Sequence, residues 1–172
     1  MEPNTVAIPE SLQPLASRIE RHPFFTDLPR LYLPTLATTA MSVEFQAEDI
    51  ISNAGDLANR FYLIEEGHVR LSAENADGAP VDIMTLGPGQ VLGWSWLFPP
   101  HYWTLRAEAV DPVKAIFLYG TRLREWADAD PQFGYALMKQ TAKVLVERLQ
   151  GLCAGVVRGD YGPRHPNLRG LV

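Results

Sequence analysis

Between Ser42 and Tyr119 the apolar residues recur at period two, in short runs cut by Gly, Asn and Asp. Val43 and Phe45 alternate with Glu44 and Gln46, and Ile50-Ile51 runs into Asn53-Ala54-Gly55-Asp56. Phe61 to Glu65 and His68 to Ser72 flank Glu66-Gly67, which predicts a hairpin. Asn75-Ala76-Asp77-Gly78 predicts a second turn before Val81 to Leu86, and two more strands fit Trp103 to Ala109 and Val113 to Tyr119. Roughly eight strands at intervals near ten residues predict a barrel or sandwich.

Helical patterns flank this region. Leu12, Leu15 and Ile19 allow a short amphipathic helix that His22-Pro23 ends, because a residue before proline is pushed out of helical geometry. Phe24 to Leu36 is a compact apolar helical stretch expected to break at Pro29 and Pro34. Thr121 is the expected N-cap of a helix from Leu123 to Ala127, and Asp130-Pro131 is a cap followed by proline at the first helical position. Phe133, Leu137, Thr141, Val144, Leu145, Leu149 and Leu152 then keep a helical stripe, weakened at its end by Gly151 and Gly155. The expected fold is mainly β with flanking helices: a jelly roll preceded by helices and followed by one long helix. The expected organisation is an N-terminal arm and helix over 1–21, one domain over 22–153 and an irregular tail over 154–172.

The run Leu86-Gly87-Pro88-Gly89-Gln90-Val91-Leu92-Gly93-Trp94-Ser95-Trp96-Leu97-Phe98-Pro99-Pro100 interrupts the strand pattern. Its prolines lack N–H groups and its glycines permit sharp bends. It reads as a Gly-Pro-Gly turn, a short strand at Val91-Leu92 and a tight helical turn, which together make a ligand cassette. The candidate pocket residues are Gly93, Trp94, Ser95, Trp96, Leu97, His101, Tyr102 and Trp103.

Bulk properties narrow the function. The 172 residues, 47% hydrophobic and 20% charged, suit one soluble domain with one core. A net charge of -5 gives no support to a nucleic-acid surface. The single cysteine, Cys153, excludes an internal disulfide and a cysteine-rich metal site. His22, His68, His101 and His165 are scattered singly, with no paired metal motif, and no nucleophile or phosphate-loop motif is present. The expectation is a non-enzyme without a metal. No apolar run is long enough to span a bilayer and the N-terminus lacks a signal-peptide pattern, so the expected compartment is the cytoplasm.

Four pieces, in order, resemble the cyclic-nucleotide-binding domain of the Crp/Fnr regulators, protein kinase A regulatory subunits and gated channels. They are His22-Pro23-Phe24-Phe25 with Leu28; Asn53 to Asp56 with Phe61 to Val69; Leu86 to Gly93; and Asp130-Pro131 leading to Glu147-Arg148-Leu149-Gln150. The resemblance implies a jelly-roll sensor binding cyclic AMP or cyclic GMP, with Arg148, Leu149 and Leu152 of the last helix as a lid over the base. It also implies a glutamate after Gly93 for the ribose and an arginine a few residues later for the phosphate. Trp94 stands at the first position, and counting back along the strand puts His101 at the second. Arg106 shares a strand face with Thr104 and Glu108 and is expected in solvent.

Losing a charged hydrogen-bond partner costs roughly 1.5–3 kcal/mol, one to two decades of affinity. The reading is therefore a non-catalytic sensor or regulatory domain with a degenerate phosphate-binding cassette and a weak or altered ligand. The alternative is a protein-interaction module whose pocket is closed by aromatics. The partners are a small molecule or a protein, with a homodimer through the last helix possible and neither a membrane nor direct nucleic-acid contact expected. Only 22 residues follow Gln150, too few for the helix-turn-helix unit of the Crp-like regulators.

Overall fold

The computed structural model describes residues 8–158. They divide into two compact units between Leu137 and Met138. Most of the expected N-terminal arm and the tail beyond residue 158 lie outside the described residues.

The chain enters through a helical turn, Glu10–Leu12, and α1 (Gln13–Arg21). His22 ends α1 with an extended ψ of 130°, as the following proline demands. Helical turns at Pro23–Phe25 and Arg30–Tyr32 lead to α2 (Leu33–Thr39). Pro34 does not break this helix. It sits in the first turn, where a missing N–H has no intrahelical partner to lose. Phe24, Phe25, Leu28, Leu33 and Leu36 are buried, each contributing about 1.5–3 kcal/mol of transfer free energy.

Eight strands follow: β1 (Ala40–Phe45), β2 (Ile50–Ser52), β3 (Arg60–Glu66), β4 (Val69–Glu74), β5 (Pro80–Leu86), β6 (Val91–Leu92), β7 (Arg106–Ala109) and β8 (Val113–Tyr119). They form two four-stranded antiparallel sheets, β1-β8-β3-β6 and β2-β7-β4-β5. The expected hairpin across Glu66-Gly67 is not one. β3 pairs with β8 and β6, whereas β4 pairs with β5 and β7, so the turn is a corner between sheets. Gly67 has φ 80°, and a Cβ there would strike the Pro112 carbonyl and lie 2.9 Å from the Asp111 carboxylate. Asp111 closes the corner by accepting from the His68 backbone N–H (2.6 Å) and contacting its ring Nδ1 (2.8 Å). The true hairpin is β4–β5, whose turn is held by the Asn75 side chain accepting from the N–H groups of Asp77 and Ala79.

Ile51, Tyr62, Ile64, Val69, Leu71, Leu86, Leu92, Trp103, Ala107, Val113, Ala115 and Phe117 fill the jelly-roll interior. β3 is buried on both faces, with Tyr62 and Ile64 in the jelly-roll interior and Phe61 and Leu63 buried on the opposite face. Phe61 packs edge-on against Phe24 and Trp96, with ring centroids 5.1 and 5.7 Å apart.

Two helices close the fold, α3 (Gly120–Ala129) and α4 (Pro131–Arg158). Thr121 lies inside α3 and caps nothing; Tyr119 holds the cap position without a side-chain bond. Asp130 does cap α4, its Oδ1 accepting from the N–H groups of Gln132 (2.9 Å) and Phe133 (3.2 Å). α4 runs through Gly151 and Gly155 to Arg158, past the end expected at residue 153. A helical glycine costs only about 1 kcal/mol against alanine, which 28 residues of ladder absorb. No described helix is long and apolar enough to cross a membrane.

Candidate ligand-binding cassette

The approach to the cassette is pinned to β3. The Gln90 side chain accepts from the Gly87 N–H at 2.8 Å, and Gln90 N–H donates to the Gly87 carbonyl at 3.1 Å. Ile64 then exchanges bonds with the turn, its carbonyl accepting from Gly89 N–H (2.8 Å) and its N–H donating to Gln90 (2.9 Å). The same carbonyl lies 3.3 Å from His22 Nε2, while His22 Nδ1 accepts from Phe24 N–H at 3.3 Å. These contacts define a neutral ring protonated on Nε2. Burial, the dominant influence, pushes the His22 pKa below its ordinary value.

β6 pairs with Tyr62 and Leu63 and ends at Gly93. Gly93 adopts a left-handed conformation, φ 89° and ψ 52°, which turns the chain into the helical turn Trp94–Trp96. A Cβ at Gly93 would collide with the Trp103 indole and lie 2.6 Å from the Arg60 carbonyl. Only glycine fits.

The candidate pocket residues separate into three groups. Trp103, 6% exposed, turns into the jelly-roll interior and fills the space beneath Gly93. Trp96, 1% exposed, faces the other way, edge-on to Phe61 and so close to Gly120 that a Cβ there would overlap its ring. Trp94, Ser95 and Leu97 are half-buried, with Trp94 edge-on to Phe98 at 6.4 Å, and Tyr102 is 50% exposed.

His101 does not occupy the inward strand position suggested by parity, because the strand does not extend back to it. β7 begins at Arg106, and His101 has φ 61° within a loop. The return segment is tied instead to the preceding turn: Ala58 N–H to the His101 carbonyl (2.7 Å), Trp103 N–H to the Asp56 carbonyl and Gly55 N–H to the Trp103 carbonyl (2.8 Å each). Trp103, not His101, is the side chain that this segment delivers to the interior. Arg106 is solvated as expected, 3.3 Å from Glu108, which also accepts from Arg70 at 2.6 Å.

Two cations at the cassette escaped the sequence reading. Arg124 of α3 donates to the Trp96 carbonyl at 3.0 Å, and its Nη1 lies 3.3 and 3.4 Å from the two ring nitrogens of His101. It is four residues beyond Gly120, hence on the helix face that covers Trp96. Arg60, whose carbonyl lies beneath Gly93, is exposed, and its charge only partly offsets the burial that raises the Tyr62 pKa. Neither position could be read without knowing which strands and helices meet. The only legible signal was the i,i+4 spacing of Gly120 and Arg124 once α3 was placed. Ser52, buried opposite Ala107, carries a hydroxyl without a partner among the described residues. The same residues hold no cluster of three or more metal-ligating side chains.

The residues expected to form a lid, Arg148, Leu149 and Leu152, lie on α4 in the second unit, with Leu149 62% exposed.

Comparison with known proteins gives this geometry a lineage. A cyclic AMP-activated global transcriptional regulator of Mycobacterium tuberculosis, described as CRP-like, is 25% identical over 118 residues. That match covers 69% of this chain and 51% of the regulator, so the chain spans about half the length of that relative. An acetyltransferase, Pat, of Mycolicibacterium smegmatis is 32% identical over 90 residues, 52% of this chain and 27% of the enzyme. The crystal structure of a cyclic nucleotide-binding protein from Geobacter metallireducens superposes with a TM-score of 0.71 at 27% identity, covering 78% of this chain and 97% of that one. The profile of the cyclic nucleotide-binding domain matches residues 42–130, just over half the sequence, from within β1 through β8 and α3. By fold, cassette geometry and sequence, this chain belongs to the cyclic nucleotide-binding domain family.

Proposed function

We propose that this chain is a non-catalytic regulatory module of the family whose cassette has lost ordinary cyclic nucleotide binding. The observation that carries the reading is Trp103, whose indole packs directly beneath Gly93 in the jelly-roll interior. A ligand there would have to displace a buried aromatic side chain, at a cost of several kcal/mol. Trp94 stands at the position where the family resemblance implies a glutamate for the ribose. Of the cations at hand, Arg124 bonds the Trp96 carbonyl and Arg60 is exposed, its charge acting on the Tyr62 hydroxyl. A cyclic phosphate would meet too few charged partners to offset its lost hydration.

Isothermal titration with cyclic AMP and cyclic GMP tests this directly. Heats consistent with millimolar or weaker binding are expected, and a submillimolar Kd for either nucleotide would overturn the reading. Trp94→Glu combined with Trp103→Arg should move the cyclic AMP affinity at least about tenfold toward the micromolar range, because each restored charged bond is worth roughly one to two decades.

The partner in this reading is a second copy. Tyr135, Met138, Ala142, Leu145, Leu149, Leu152 and Val156 alternate at spacings of three and four along α4, a repeat suited to a two-stranded coiled coil. Tyr135 (71%), Leu149 (62%) and Val156 (50%) are exposed to a degree unusual for a monomer's apolar side chains. With its cassette closed, the module would act through association rather than through a captured nucleotide.

A further inference from the structure

A second concavity lies away from the cassette, between α2 and the α3–α4 junction. It has a volume of about 310 Å³ and is lined by Leu31, Tyr32, Thr35, Leu36, Trp126, Ala129, Asp130 and Phe133. Three of these are aromatic and stand together, Phe133 being 5.0 Å from Tyr32 and 6.4 Å from Trp126 between ring centroids. The lining is otherwise aliphatic apart from the Thr35 hydroxyl and one charged group, the Asp130 carboxylate.

That carboxylate is held ionised. The α4 N–H groups donate to Oδ1 and the Tyr32 hydroxyl donates to Oδ2 at 3.0 Å, and these bonds keep its pKa below the usual range. Among the described residues no Lys, Arg or His pairs with it. The walls therefore ask for an apolar body, while the one fixed charge and the negative faces of the aromatic rings ask for a positive one. The volume is at the small end of ligand pockets.

We propose that this cavity binds a small organic cation, an alkylated or aryl-substituted ammonium, with the positive group toward Asp130 and the aromatic trio. The site is independent of the cassette and needs no nucleotide. A phosphate-bearing ligand is disfavoured by the carboxylate, and a purely apolar one would forgo the ion pair that the carboxylate offers.

Amide and indole NMR shifts on titration with benzyltrimethylammonium, against its neutral carbon isostere neopentylbenzene, provide the test. The cation should shift residues 31–36 and 126–133 and bind about tenfold more tightly than the isostere. Asp130→Asn removes the charge yet keeps the helix cap, since asparagine caps as well as aspartate; it should weaken the cation about tenfold while leaving the isostere unchanged. Trp126→Leu should weaken the cation with the fold intact by circular dichroism. Equal affinity for the two probes, indifference to Asp130→Asn, or shifts confined to other parts of the protein would overturn the proposal.

Discussion

Gly93 shows how far one backbone angle can determine a site. Its left-handed φ of 89° aims the Trp94–Trp96 turn, and its missing Cβ leaves room for the Trp103 indole and the Arg60 carbonyl. Gly93→Ala adds left-handed strain of about 1–2 kcal/mol and overpacking of about 1–3 kcal/mol. A total loss of about 2–5 kcal/mol is expected, read as a lower urea midpoint with an unchanged m-value. His22 makes a different prediction. Its folded pKa lies below the ordinary value, so below about pH 6.5 the unfolded chain binds a proton that the folded ring resists. The His22 contribution is therefore complete above that pH and is lost as pH falls through the depressed folded value. Urea midpoints measured at pH 7.5 and pH 5.0 should diverge in the native protein and draw together in His22→Gln. An unchanged divergence in the variant would assign the pH dependence elsewhere.

The elements reveal where period and propensity were enough and where they failed. α1, β1, β5, β8 and the Asp130 cap followed from spacing and local chemistry, because each depends on neighbours within a few residues. The partner of β3 did not. A Gly turn between two apolar runs looks the same whether the strands pair or part, and the deciding contact is the Pro112 carbonyl more than forty residues downstream. His101 was misplaced for a related reason, although Trp103 does point inward, as its parity with Leu105, Ala107 and Ala109 requires. Strand parity was carried back through Thr104 and Leu105 to His101, yet the segment 101–103 is held by bonds to residues 55–58 rather than by the β7 ladder. In α4 the stripe ran through Phe133 and Leu137, which are buried, while the exposed repeat begins at Tyr135. That repeat carries its own prediction. Leu149→Glu places a charge in the proposed seam and should convert a dimer seen by sedimentation at tens of micromolar into a monomer. A native protein that sediments as a monomer at that concentration would end the coiled-coil idea.

At the scale of the molecule, the resemblance pointed to a family and the jelly roll bears it out. The contents of the cassette were only half legible. The absence of an acid after Gly93 was plain from the residue types, but what fills the space could be seen only in three dimensions. Trp96, Trp103 and Trp94 share one short run of sequence and end up in three different environments. The sheet order has a further consequence, in the time domain. β8 sits between β1 and β3, and its ladder joins Ala40 to Leu118. Until the chain has been made through Tyr119, β1 has no strand partner and the β3 edge opposite β6 stays open to solvent. Such distant pairing makes folding slow and leaves unpaired edges exposed while it proceeds. A fragment ending before Val113 should therefore aggregate rather than form a smaller barrel, and adding β8 as a separate peptide should restore solubility.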